Sequence, residues 1–179
     1  MNTINKIFLE STIKRVVYYK DITDKAMAQL ADADFLFQPN KESNSIALII
    51  QHMHGNMLSR WTDFLTTDGE KPTRNRDGEF HEGKETKEQL MQIWNKGWQV
   101  FMDTLDSLKE EDVMKTVTIR GEGLTVTQAL NRQTAHYAYH VGQIVFLAKH
   151  IKNTEWESLS IPKNKSAEHL KGSYLDNIK

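Results

Sequence analysis

Thr125–Val126–Thr127–Gln128–Ala129–Leu130–Asn131–Arg132–Gln133–Thr134–Ala135–His136–Tyr137–Ala138–Tyr139–His140–Val141–Gly142–Gln143–Ile144 is the stretch on which the fold turns. It opens on a Thr-x-x-Gln capping box, whose two side chains satisfy backbone N–H groups at a helix start. Ala129, Leu130, Val141, Ile144, Val145 and Ala148 follow mostly at helical spacing, so a long helix is expected to run to about Ile151. Beside that apolar face lie Gln133, His136, His140 and Gln143, a polar strip. Unpaired imidazole and amide groups cost on the order of a few kcal/mol when buried, so the strip needs partners.

Upstream of this helix, residues 117–126 place β-branched side chains around Gly121 and Gly123, which suggests a short hairpin or extended excursion. A second capping box, Thr86–Lys87–Glu88–Gln89, precedes Leu90, Ile93, Trp94, Phe101, Leu105 and Leu108 and opens another helix. Ser45 is a plausible N-cap for a helix striped by Ile46, Ile49, Ile50, Met53, Met57, Trp61 and Phe64, with an end expected near Thr66. Residues 3–30 form the first helical pattern, and a polar segment at 31–44 interrupts it. Residues 66–85 are charged, glycine-bearing and aperiodic. Loops of that length are uncommon in compact domains and are often functional.

The fold class expected is therefore all-α: a four-helix bundle over residues 1–152, with the hairpin before its last long helix. Residues 153–179 are polar, with Trp156, Leu159, Ile161 and Pro162 as anchors. They are expected to lie over the bundle as a tail with a frayed, partly mobile end.

Charge excludes some functions. Lys and Arg number 23 against 24 Asp and Glu, and no stretch concentrates basic residues, which argues against nucleic acid and anionic membrane surfaces. With no cysteine, disulfides, thiolate metal sites and a cysteine nucleophile are all excluded. No apolar run of about 18 residues is present, and the amino terminus lacks a signal-peptide pattern, so a cytoplasmic location is expected.

His136 and His140 stand four apart, about 40° around a helix axis, so both imidazoles can face one metal ion. They could equally be partly exposed or hydrogen-bonded core residues, since the spacing alone is weak. Two ligands also do not make a secure site, and His52, on the polar edge of the second helix, is the best third candidate. His54 lies about 200° from His52 and cannot easily join it. His81, His150 and His169 fall in a loop, at a helix end and in the tail. Asn56, one turn after His52, could bond a metal-bound water or fill a polar interhelix position. Gln143 is similarly placed after His140 and could support the ligands from behind. Arg74 and Arg76, in the long loop, could bind a carboxylate or phosphate, or simply be solvated. Arg60, Trp61 and Asp63 read as an interface or an interhelix ion pair. Tyr137 and Tyr139 read as core or edge residues, and Trp94 and Trp98 as core and dimer-edge residues.

Ser45–Ile46 with His52, and His136–Tyr137–Ala138–Tyr139–His140–Val141–Gly142–Gln143–Ile144, together resemble the DinB/YfiT-like superfamily of bacterial four-helix proteins. The resemblance spans residues 4–151. It implies that His52, His136 and His140 bind one divalent ion, commonly nickel or zinc, with positions left open to water. It also implies pairing into homodimers and, for some members, thiol S-transfer with low-molecular-weight thiols. His54–Gly55–Asn56–Met57, Arg60–Trp61–Thr62–Asp63–Phe64–Leu65 and Asp68–Gly69–Glu70–Lys71 resemble a branch of unknown function. The expected function is a metal-dependent enzyme acting on a small molecule by thiol transfer or hydrolysis. The alternative is a non-catalytic, metal-stabilised bundle that works through partner binding.

Overall fold

Hydroxyl caps start all four long helices. Thr3, Ser45, Thr86 and Thr125 each accept a hydrogen bond from the backbone N–H three residues on, and Thr86 and Thr125 complete their boxes with Gln89 and Gln128. The resulting helices are α1 (Ile4–Ala28), α2 (Ile46–Trp61), α3 (Lys87–Ser107) and α4 (Val126–Lys152). The structure is a computed structural model and describes residues 3–81 and 83–165.

Between α3 and α4 the expected hairpin forms. Strands β1 (Thr116–Ile119) and β2 (Glu122–Thr125) pair antiparallel, with Val117 opposite Leu124. Arg120 and Gly121 make the two-residue turn with φ of 56° and 74°, the left-handed geometry that matches strand twist. Short 3-10 turns occur at Asp32–Leu36, Asp77–Phe80, Glu110–Asp112 and Asn153–Glu155.

α2 packs chiefly on α3 and α1 chiefly on α4, while α2 also meets α4 along the strip that carries the histidines. The core between them holds Trp61, Trp94, Trp98, Phe101 and Tyr137, all at most 1% exposed. Trp61 stacks on Phe101 at 4.4 Å between ring centres, and its Nε1–H donates to the Tyr137 hydroxyl at 2.7 Å. Such a pairing gives a buried indole and phenol the polar partners they need.

Three sequence expectations change here. α2 ends at Trp61 rather than near Thr66, because Thr62 is extended and Asp63 takes a positive φ of 50°; Phe64 joins the core from outside the helix. Trp94 and Trp98 are closed inside the chain, so neither is available at a dimer edge. In the tail, Trp156 and Leu159 pack on the core, but Ile161 is 51% exposed and does not anchor it. The expected frayed end, with His169, lies outside the described residues.

Candidate metal centre

His52 on α2 and the pair His136/His140 on α4 come together where these helices face each other. One ring nitrogen from each lies within 4.8 Å of those of the other two. His136 Nε2 is 3.0 Å from His140 Nε2 and 3.3 Å from His52 Nε2. His52 and His140 are buried, and His136 is partly exposed.

Two acceptors fix the outer edges of the rings. His52 Nδ1 stands 3.0 Å from Glu79 Oε2, and His140 Nδ1 stands 2.8 Å from Gln143 Oε1. A carboxylate can only accept, so His52 carries its proton on Nδ1; with the Gln143 oxygen as placed, so does His140. Both Nε2 lone pairs then point inward, toward His136. His136 can donate to one of them at most, and its own Nδ1 is buried with no hydrogen-bond partner. Without a cation the cluster leaves polar atoms unmatched whichever tautomer His136 adopts. A shared cation would match all three lone pairs.

Distances support the same reading. Two nitrogens bound to one ion at about 2.0–2.1 Å stand about 3.3 Å apart at a tetrahedral angle and about 2.9 Å apart at a right angle. The 3.0 and 3.3 Å separations fall in that interval. Three imidazoles form a nitrogen donor set suited to zinc, nickel or iron rather than to calcium or magnesium. The residues present therefore fit a divalent transition ion.

Burial favours the neutral form of His136 and His140. Desolvation first, then the neighbouring His140 and His52 and the charges of Arg74 and Arg60, hold the His136 pKa down at about 3. Burial likewise lowers His140 to about 4, against an opposing contribution from Gln143. Neutral imidazoles are the form that ligates.

Glu79 is the functional residue that sequence reasoning missed. The 3-10 turn Asp77–Phe80 carries it inward from the long loop, and Gly55 on α2 makes room for it. A Cβ on Gly55 would stand 2.7 Å from the Glu79 carboxyl carbon, so any side chain there would push the carboxylate off His52. Arg74 clamps the opposite edge of the carboxylate, with Nε and Nη2 donating at 2.7 and 2.9 Å. Burial pushes Glu79 toward the neutral form, but the bonds from Arg74 and His52 outweigh it and hold the pKa below the usual carboxylate range. From the same turn, Phe80 stacks on the His52 ring at 5.0 Å. No periodicity marks position 79; its only signal was a place in a long, charged loop.

The other expected residues divide. Gln143 supports His140 directly. Asn56 serves the interhelix network instead: its Oδ1 accepts from Gln133 Nε2 at 2.7 Å and from the Tyr137 hydroxyl at 3.1 Å. Arg74 is drawn into the site by Glu79, whereas Arg76 is exposed and takes no part in it. Tyr137 is core, and Tyr139 is 62% exposed beside His140. His54 faces away from the cluster, as its angle on α2 requires, and lines a cleft of about 850 Å3 with Gln51, His81 and Lys96. Arg74 and Glu79 form the wall between that cleft and the histidines.

Four packed helices, one hairpin and three converging imidazoles define a helical protein with a candidate transition-metal site. The chain belongs to the family described as "Protein of unknown function (DUF1572)", whose model matches residues 3–165. No curated protein and no solved structure matches the chain.

Proposed function

We propose that this protein is a metal-dependent enzyme acting on a small molecule, with His52, His136 and His140 holding one divalent ion, nickel or zinc. The observation that carries this reading is the inward convergence of three Nε2 atoms with the outer nitrogens of His52 and His140 fixed by Glu79 and Gln143. A three-histidine ion with an open position supplies Lewis acidity to an oxygen or sulfur donor, which suits hydrolysis or thiol transfer. Around it, the chain's own groups orient and retain the ligands. Glu79 holds the His52 ring and makes its Nε2 more electron-rich, and Arg74 keeps that carboxylate ionised. Phe80 covers the face of His52 and limits the approach of water. The neighbouring cleft, at about 850 Å3, is within the size range of small-molecule sites.

The four helices and the convergence of His52, His136 and His140 support the DinB/YfiT-like resemblance, and from it we carry a low-molecular-weight thiol as a candidate substrate and the homodimer as a candidate assembly. The cytoplasm, where such thiols are abundant, is the location in keeping with this reading.

Turnover is tested with nickel-loaded, zinc-loaded and metal-stripped protein against a panel of thiol acceptors and activated esters. Metal-dependent turnover that is absent from His136→Ala supports the enzyme. A second reading draws on the near-complete burial of His52 and His140: the ion could serve stability alone. In that case metal raises the melting temperature and no substrate of the panel is turned over.

A further inference from the structure

Three arginines meet on one carboxylate at the edge of the histidine site. Glu70 accepts from Arg120 Nε at 3.1 Å and from Arg74 Nη1 at 3.5 Å, and lies 3.7 Å from Arg60 Nη2. Arg74 is otherwise committed to Glu79. Arg60 is not committed: it is 2% exposed, yet its Nε and Nη1 have no hydrogen-bond partner. A guanidinium presents its donors in a fixed fork suited to two oxygens at once, and on the Nε/Nη2 edge of Arg60 only Nη2 faces an acceptor, the distant Glu70.

Arg60, Arg74 and Arg120 stand against three carboxylates, Glu70, Glu79 and the neighbouring Asp68. Arg132 adds a further positive charge near Arg60. Glu70 is a weak match for this corner. It is about a quarter exposed on the long loop, and its three contacts exceed the roughly 2.7–2.9 Å of a well-formed charge-assisted bond.

We propose that Arg60, Arg74 and Arg120 form an oxyanion-binding site for a small molecule bearing a carboxylate or phosphate, and that Glu70 fills this site as a placeholder in the free chain. The incoming oxyanion displaces the Glu70 carboxylate outward and takes the Nε/Nη2 edge of Arg60, where Nε is unpartnered and Nη2 faces Glu70 at 3.7 Å. Asp68 keeps the loop in register meanwhile, because its carboxylate accepts from the backbone N–H groups of Arg120 and Gly121 at 2.9 and 2.8 Å. The site needs no ion, so it stands or falls separately from the metal reading.

The test titrates inorganic phosphate into the full chain after chelator treatment, followed by calorimetry and by the arginine Nε–H signals in 15N spectra. The Arg60 signal is expected to move and saturate while that of exposed Arg15 stays still. Glu70→Gln is expected to tighten phosphate at least threefold, by removing the competitor, and Arg60→Lys to weaken it at least tenfold. Where Arg60→Lys does not fold, the Arg60 signal of the unaltered chain and the Glu70→Gln affinity decide. An Arg60 signal that does not saturate, or a Glu70→Gln affinity equal to that of the unaltered chain, overturns the proposal. Phosphate binding retained in a His136→Ala chain upholds it even where that chain takes up no nickel. Nickel uptake without phosphate binding overturns it and leaves the metal reading intact.

Discussion

Glu79 carries two partners with one carboxylate, and each partner explains the other. Arg74 overcomes the burial that would protonate it, and the ionised carboxylate then fixes the His52 tautomer. Glu79→Gln keeps a hydrogen-bonding oxygen but gives up the charge and half of the Arg74 clamp. We expect it to weaken metal binding about 10–100-fold with the fold retained, measured by competition with a chromophoric chelator. A change of less than about twofold would remove Glu79 from the site. Protons supply a second test. Unfolded histidines bind protons near the ordinary 6.5, whereas folded His140 and His136 do so only near 4 and 3. Between those limits the unfolded chain holds more protons, so stability rises with pH there. The melting temperature of the metal-free protein should therefore fall as pH drops from 6.5 toward 4, and the decline should flatten in His136→Ala/His140→Ala. Equal slopes in the two proteins would contradict the burial of neutral imidazoles. At this scale the sequence was legible for His136 and His140, because helix periodicity ties positions four apart. His52 needed a resemblance, since nothing local links it to α4. Glu79 was out of reach, because a loop residue's direction is set by contacts such as Gly55 and Arg74 that lie far from it in the chain.

Helix starts were the most readable elements, since a capping box is a local hydrogen-bond device, and both Thr86/Gln89 and Thr125/Gln128 operate as such. The end of α2 was less readable. The apolar stripe continues to Phe64, but Thr62 and Asp63 break the backbone first, and Phe64 reaches the core by another route. The hairpin does more than connect α3 to α4. Asp68 bonds the N–H groups of Arg120 and Gly121, and Gly69 N–H donates to the Thr118 carbonyl at 2.8 Å, so the turn pins the start of the loop that delivers Arg74 and Glu79. Gly121 holds a φ of 74°, which a Cβ opposes. Gly121→Ala should cost about 1 kcal/mol, or about 2–4 °C in melting temperature for a chain of this size. It should also raise amide exchange in residues 66–81 ahead of the helices. Exchange confined to the turn itself would show that the hairpin does not brace the loop.

Over the whole molecule, the helices present two complementary strips, one from α2 and one from α4, whose polar residues are matched at one end and unmatched at the other. Asn56, Gln133, Tyr137 and Trp61 are joined in one hydrogen-bond chain across the interface. The three imidazoles beside them leave three inward nitrogens without enough protons to share, and a cation is the simplest group that engages all three. An ion that binds only the folded chain also stabilises it, by an amount that grows with the logarithm of its concentration over its dissociation constant. Metal loading and global stability should therefore move together, and residues of α2, α4 and the long loop should all affect both. The decisive measurement is the metal content of the untagged full chain by mass spectrometry, before and after incubation with nickel, zinc or manganese and exhaustive dialysis. One ion per chain is expected, lost on His52→Ala, His136→Ala or His140→Ala. Metal near zero that none of the three ions restores, or a full ion retained by all three variants, would contradict the site.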